Sequence, residues 1–233
     1  MTAAALASLA ALLADRTRVE ICLALLDGRA WTAGELARHA GVTASTASGH
    51  LDRLIAGGLL AEERAGRHRY VRLADPDVAQ LLEDLVVRLD PAPGPVASLR
   101  AANRSAALAR ARTCYDHLAG QLGVAIADAL TRRGYLHQKH GFALTDAGVD
   151  WLTGTLGVDA GALHRTRRPV ARGCLDWTER RPHLAGSAGR EICQRLLDRR
   201  WVERLSGTRA VQVTPAGRAA LADMFGQPFS ATI

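Results

Sequence analysis

Apolar residues recur at helical spacing along most of the chain, and the places where the pattern stops mark its joints. Residues 4–14 are rich in Ala and Leu and predict a helix with Leu6, Leu9 and Leu13 on one side. Asp15 or Thr17 is placed to cap a second helix that buries Val19, Leu23 and Leu26 and ends at Asp27-Gly28. Leu36 and Ala37 give a short helix, Ala33 to His39, its apolar side. Gly41 breaks it, because glycine accepts the left-handed backbone that a tight turn needs. Thr43 then caps a helix that keeps Ala47, Leu51, Leu54 and Ile55 on one face, the 3/4 spacing of a buried stripe. The opposite face carries Ala44, Ser45, Ser48, Gly49 and Asp52, flanked by Thr46, His50 and Arg53.

Two helices around a glycine turn, the second small and polar at its start, describe a helix-turn-helix, in which the second helix enters the DNA major groove. After Gly57-Gly58, Leu59 to Arg64 reads as a strand, Ala65 to His68 as a tight turn, and Arg69 to Leu73 as a returning strand. This hairpin is tipped with Arg64, Arg67, His68 and Arg69, and it forms a wing able to reach phosphates or a minor groove. The DNA-binding set is therefore Thr43, Ser45, Thr46, Ser48, Gly49 and His50, facing base edges or adjacent phosphates, together with Arg53 and the four wing residues.

These residues resemble a known family. Ala14 to Leu26 is similar to the opening of ArsR-like winged helix-turn-helix repressors. Glu35-Leu-Ala37, Gly41-Val42, Ser45-Thr46, Ser48, His50-Leu51, Leu54, Gly58-Leu59, Gly66-Arg67, Tyr70 and Leu73 continue the likeness over about residues 6 to 88. The resemblance implies a homodimer on a palindromic operator, acting as a repressor released by a small effector, with the first and last helices of the domain building the dimer interface. Gly49 stands where many relatives carry Arg or Lys, which leaves base preference open. The family's metal sites are not matched. The helix before the recognition helix has no cysteine, and Val78 to Asp90 contains no histidine.

After the wing, Asp75-Pro76-Asp77 opens a helix with proline at its first position. Val78, Leu81, Leu82, Leu85 and Leu89 give it more apolar surface than a terminal helix needs, which marks a dimer element. Three prolines and a glycine in residues 91–95 stop it. The expected division is a winged-helix domain over 1–90, a Pro-rich linker over 91–98 and a mostly helical second domain over 99–233. The fold class is mainly α with small β-hairpins. Net charge is +7, but residues 1–90 hold 10 Arg against 12 acids, while residues 91–233 hold 20 basic residues against 11. The reading domain is thus not basic overall, and its case rests on where its arginines cluster. No apolar run spans a membrane, the start is a poor signal peptide, and four cysteines without a CxxC pair suggest a reducing interior, so a cytoplasmic protein is expected.

The second domain contains a repeat. His117-Leu-Ala-Gly120 recurs as His183-Leu-Ala-Gly186, with Ile126, Leu130, Arg133 and Tyr135 matching Ile192, Leu196, Arg199 and Trp201 at the same offset. Leu144-Thr-Asp-Ala-Gly148 matches Val213-Thr-Pro-Ala-Gly217, and Cys114-Tyr-Asp116 resembles Cys174-Leu-Asp176. Each copy reads as a helix, a short hairpin and a helix capped by Thr145 or Thr214. Cys114, Asp116, His117, Cys174, Asp176 and His183 offer S, N and O ligands to zinc or another transition metal. A reactive thiol at Cys114 or Cys174, near Arg112 or Arg172, is a second reading. An organic effector between the halves, lined by Tyr115, Trp151, Trp177 and Trp201, is a third. The plainer reading makes the cysteines core packing, the aspartates helix-side ion pairs and each His-Leu-Ala-Gly a close helix contact. This spacing is weaker than a CxxC pair, so the sequence assigns no metal or other cofactor. No Gly-rich phosphate loop, GxSxG, HExxH or paired acids point to an enzyme. The remaining alternative is a winged helix that binds protein partners.

Overall fold

The computed structural model describes residues 2–65, 68–89, 99–139, 141–165 and 168–225. The expected linker at 91–98 and Arg67 lie outside them. The chain divides into two compact units, 1–82 and 83–233, so the second unit begins inside the helix that the sequence assigned whole to the first.

In the first unit, α1 (Ala3–Leu13) starts at a Thr2 cap and α2 (Arg16–Ala24) at Asp15, whose carboxylate accepts from the Arg18 N–H at 2.9 Å. The buried side of α2 is Arg18, Ile21 and Cys22, with Leu25 and Leu26 following in a 3-10 turn. Leu23, expected inside, is exposed. The helix phase is turned toward the side that carries Arg18, whose guanidinium donates to Leu12 O at 2.6 Å and Ala11 O at 2.8 Å and so satisfies the last carbonyls of α1. A Thr32–Glu35 capping box starts α3 (Ala33–His39). Gly41 lies at φ +67°, and Thr43 caps α4 (Ala44–Ala56). Strands β1 (Trp31–Thr32), β2 (Leu60–Ala65) and β3 (His68–Leu73) form an antiparallel sheet in the order β1-β3-β2. Val71 faces Trp31 on one side and Glu62 on the other. The core joins Ile21, Leu25, Leu36, Leu51, Leu54, Leu59 and Val71 to Leu82 of α5 (Pro76–Val86).

The second unit opens with the end of α5 and α6 (Leu99–Arg110), followed by two copies of one plan. The first copy is β4 (Arg112–Cys114), β5 (His117–Ala119), α7 (Gly120–Arg132), β6 (Leu136–His137), β7 (Ala143–Leu144) and α8 (Asp146–Asp150), which runs on into a π-helical turn. The second copy is β8 (Arg172–Leu175), β9 (Pro182–Ala185), α9 (Gly186–Asp198), β10 (Val202–Arg204), β11 (Val211–Val213) and α10 (Pro215–Phe225). Each copy therefore has a hairpin that the sequence reading missed. Strands of three or four residues are too short to show alternation, and His117 to Ala119, all buried, gives none.

The copies are interleaved: α7 packs on β9 of the other copy, and α9 packs on β5. Glycine permits this. A Cβ on Gly123 would lie 3.5 Å from His183 Cβ of the other copy and one on Gly189 3.3 Å from His117 Cβ, and each would also collide with a carbonyl of its own copy, Leu118 or Leu184. The repeated Thr-x-Ala-Gly has the same logic. Thr145 and Thr214 accept from the Gly148 and Gly217 N–H groups, each at 3.0 Å, while those glycines sit against the carbonyls of Tyr135 and Trp201. Leu122, Ile126, Leu130, Ile192 and Leu196 join Trp151 and Phe225 in one core. No helix among the described residues is long and apolar enough to cross a membrane.

Candidate functional site

Two places bring chemistry-bearing side chains together. The first is the outer face of α4. Ser45, Thr46, Gly49, Asp52 and Arg53 are exposed, while Ala47, Leu51 and Leu54 fix the opposite face in the core. Thr43 accepts from the Thr46 N–H at 3.2 Å, so its hydroxyl serves first as the cap. A Cβ on Gly49 would meet nothing within 4 Å, leaving the middle of the face open.

His50, expected beside that face, and Arg69, expected to reach outward from the wing, are both engaged within the protein. His50 is half-buried with Nδ1 3.7 Å from Asp15 Oδ1, because its position on α4 turns it toward the start of α2 and away from the small-residue face. The Arg69 guanidinium donates to Asp52 at 2.7 Å and also binds Glu62. It thereby ties β3 to the recognition helix and to its own hairpin neighbour, and those two carboxylates raise its already high pKa further against the cost of burial. Arg64 remains exposed near the hairpin tip, 4.0 Å from Glu62, and the side chain of His68 is not described.

The second place lies inside the second unit. Cys114 and His117 pair across the β4–β5 hairpin, and Cys174 and His183 pair across β8–β9. The two hairpins meet so that Cys114 Sγ is 3.9 Å from Cys174 Sγ, and His117 Nε2 is 3.1 Å from His183 Nε2. All four side chains are buried, and their four donor atoms lie within 4.8 Å of one another. Each imidazole turns its other nitrogen toward an aspartate: Asp116 at 3.4 Å from His117 Nδ1, and Asp176 at 3.6 Å from His183 Nδ1. His183 Nδ1 has no hydrogen-bond partner. Cys114 is also placed to donate to Glu83 Oε2 at 3.3 Å, and Arg209 holds the other Glu83 oxygen at 2.6 Å. The Cys114 thiol and the two imidazoles favour the charged form of Cys174 and lower its pKa, whereas the neighbouring sulfur, burial and Glu83 raise that of Cys114.

The surrounding residues fix this geometry. Asp176 accepts from Arg112 at 3.0 Å, from the Gly120 N–H at 2.6 Å, and from the Thr178 hydroxyl at 2.7 Å. Burial alone would raise its pKa, but Arg112, Thr178 and backbone N–H groups outweigh that and hold it at about 2. The Arg112 guanidinium is fully buried, stacked 4.9 Å over Trp177. At the turn between β4 and β5, Tyr115 takes φ +57°, and Arg168 bonds both its hydroxyl and Asp116 at 2.6 Å.

Of the six metal candidates, the structure thus gathers the two cysteines and two histidines, and it directs both aspartates to outer positions. Asp176 is a buried ion-pair partner in the core and not the helix-side charge expected. The aromatic effector pocket is not formed. Trp151 packs in the core against Tyr135 and Phe225, while Trp177, Trp201 and Tyr115 each lie beneath a different arginine. An open groove of about 520 Å³ between α6 and the β10–β11 hairpin, lined by Arg110, Glu203 and Arg218, contains none of them. The thiols of Cys22 and Cys193 are pushed up to about 12 by burial, as befits core packing. Glu83 and Arg209 were missed. Their only signal was an acidic residue on the stripe edge of α5.

A family model described as a helix-turn-helix domain matches residues 13–63. The HTH-type transcriptional regulator YdfF of Bacillus subtilis (strain 168) is 42% identical over 217 residues, covering 92% of this chain and 94% of its own. The HTH-type transcriptional regulator CmtR of Mycobacterium tuberculosis (strain ATCC 25618 / H37Rv) is 44% identical over 86 residues, 37% of this chain and 72% of its own. Among solved structures, the homodimeric winged helix-turn-helix DNA-binding domain of Mb0332 from Mycobacterium bovis, a possible ArsR-family regulator, is 32% identical. It covers 36% of this chain and 76% of that one, with a TM-score of 0.34. With a regulator matched along nearly its whole length and the winged-helix motif in place, the chain belongs to the ArsR-like winged helix-turn-helix transcriptional regulators, in a form that carries a duplicated C-terminal extension.

Proposed function

We propose that the protein acts as a homodimeric repressor that reads a palindromic operator through α4 and the wing, with the second unit carrying the response to an effector. The observation that supports this best is the exposed start of α4, where Ser45, Thr46 and Gly49 leave a face of small side chains and Arg53 supplies a cation at its edge. A helix with so little bulk on its outer side approaches base edges closely, and hydroxyls accept or donate there. Arg53 and Arg64 contact phosphate in this reading, as does Arg67, while Arg69 and Asp52 keep the wing in register with the helix. Ser48 stands beside that link, 3.5 Å from the Arg69 guanidinium. Dimerisation draws on large apolar side chains left in solvent, Leu6 (64% exposed), Leu85 (44%) and Leu89 (64%).

An electrophoretic shift with the DNA upstream of the protein's own gene tests the reading directly. Saturable binding that survives excess unrelated DNA is expected, and Arg53→Ala should flatten the salt dependence of binding by a slope of about 1. Binding no tighter to that DNA than to random duplex would contradict it.

A further inference from the structure

We propose that Cys114, His117, Cys174 and His183 form a tetrahedral site for one zinc-class divalent ion, built from equivalent positions of the two copies. The family resemblance points to no such place, since the four ligands all lie in the duplicated extension. Four features carry the proposal.

The first is donor geometry. A tetrahedral zinc ion with Zn–S of about 2.3 Å and Zn–N of about 2.0–2.1 Å requires edges of about 3.8 Å between sulfurs and about 3.3 Å between nitrogens. The two sulfurs lie 3.9 Å apart and the two Nε2 atoms 3.1 Å apart, close to both of these edges. The second is ligand chemistry. Two thiolates and two neutral imidazoles cancel the charge of a divalent ion, which a fully buried site requires, and S₂N₂ donor sets select zinc and its softer neighbours over magnesium or calcium.

The third is the outer shell. Both histidines present Nε2 to the centre and Nδ1 to an aspartate, the arrangement that fixes the tautomer of a metal-bound imidazole and raises its basicity. Asp116 and Asp176 are themselves anchored, by Arg168 and by Arg112. The buried His183 Nδ1 has no hydrogen-bond partner, although Asp176 Oδ2 lies 3.6 Å away. A proton on that nitrogen, which leaves Nε2 free to ligate, gives the pair its contact. The fourth is rigidity. Gly123 and Gly189 let the two hairpins and helices cross closely, with His183 Cβ 3.5 Å from the site of a Cβ on Gly123 and His117 Cβ 3.3 Å from that on Gly189.

Metal binding has a stated consequence at Glu83. The proton that Cys114 is placed to donate to that carboxylate leaves to solvent when the sulfur becomes a ligand, so Glu83, on the last turns of α5, loses this bond and keeps Arg209.

The test is titration of the reduced, full-length, metal-stripped protein with Co(II), followed by displacement with Zn(II). One equivalent should bind, with tetrahedral d–d absorption and a thiolate charge-transfer band that Zn(II) abolishes. X-ray absorption at the zinc edge of the wild-type chain should give two sulfur and two nitrogen neighbours, a readout that depends on no variant. Cys174→Ser and His117→Gln should each cut affinity at least tenfold, whereas Cys22→Ala leaves the spectrum unchanged. Absence of stoichiometric uptake by the reduced protein, or a shell lacking two sulfurs, would each overturn the proposal.

Discussion

The two units use the same kinds of side chain in opposite ways. On α4, the hydroxyls and Arg53 stand in solvent, positioned by the helix and its cap, and Asp52 reaches out to Arg69 of the wing. In the duplicated extension, histidines, cysteines, an aspartate and an arginine are buried, and each is held by residues far away in sequence, such as Arg112 with Asp176 and Arg209 with Glu83. Exposed groups cost little to change and suit the reading of a long polymer, the role proposed for α4. Buried ones must be satisfied together or not at all, and they serve for holding one small, defined ligand.

That contrast sets the order of expected effects. Asp176→Ala strips Arg112 of its partner inside the core and should lower stability by about 3–5 kcal/mol in urea unfolding, without a direct effect on α4. Gly123→Ala and Gly189→Ala should each cost about 1–3 kcal/mol, and by similar amounts, because each forces the equivalent helix of its copy, α7 or α9, off the equivalent carbonyl. Unequal losses would show that the two copies no longer share one packing logic. Arg69→Ala should weaken operator binding by about tenfold with a shift of less than about 1 kcal/mol in stability, since it breaks a half-exposed ion-pair link that aligns the wing. Gly49→Arg is the smallest structural change. It enters open space, favours the helix by up to about 1 kcal/mol, and should tighten binding to all DNA while altering base preference.

What the sequence revealed follows the same division. The first unit was legible because its signals are local: Thr43 as cap, Gly41 in the turn, Ala47, Leu51 and Leu54 on one stripe. Its errors were errors of phase and pairing. Leu23 was expected inside where Ile21, Cys22 and Leu25 lie, and His50 and Arg69 were expected outward where Asp15, Asp52 and Glu62 draw them back. Those contacts link residues up to 35 positions apart and leave no periodic trace. In the second unit, the repeated His-Leu-Ala-Gly is visible in the sequence, but its spacing does not say what each residue of the motif does. The histidine faces its counterpart, the leucine enters the core, and the glycine begins a helix at φ +73° or +83° against the preceding backbone. Which of the six S, N and O donors converge could not be read from spacing, because convergence depends on two three- and four-residue hairpins meeting across the repeat.

The reading of α4 as the DNA-contacting element is tested most directly by Thr46→Glu. A carboxylate in the first turn of a helix favours the helix through its dipole, so the unfolding midpoint should stay level or rise. The same charge faces the DNA phosphates and should weaken binding to the upstream DNA by more than tenfold at physiological salt. Unchanged affinity in a folded Thr46→Glu protein would contradict the assignment and place the DNA-binding surface elsewhere on the chain.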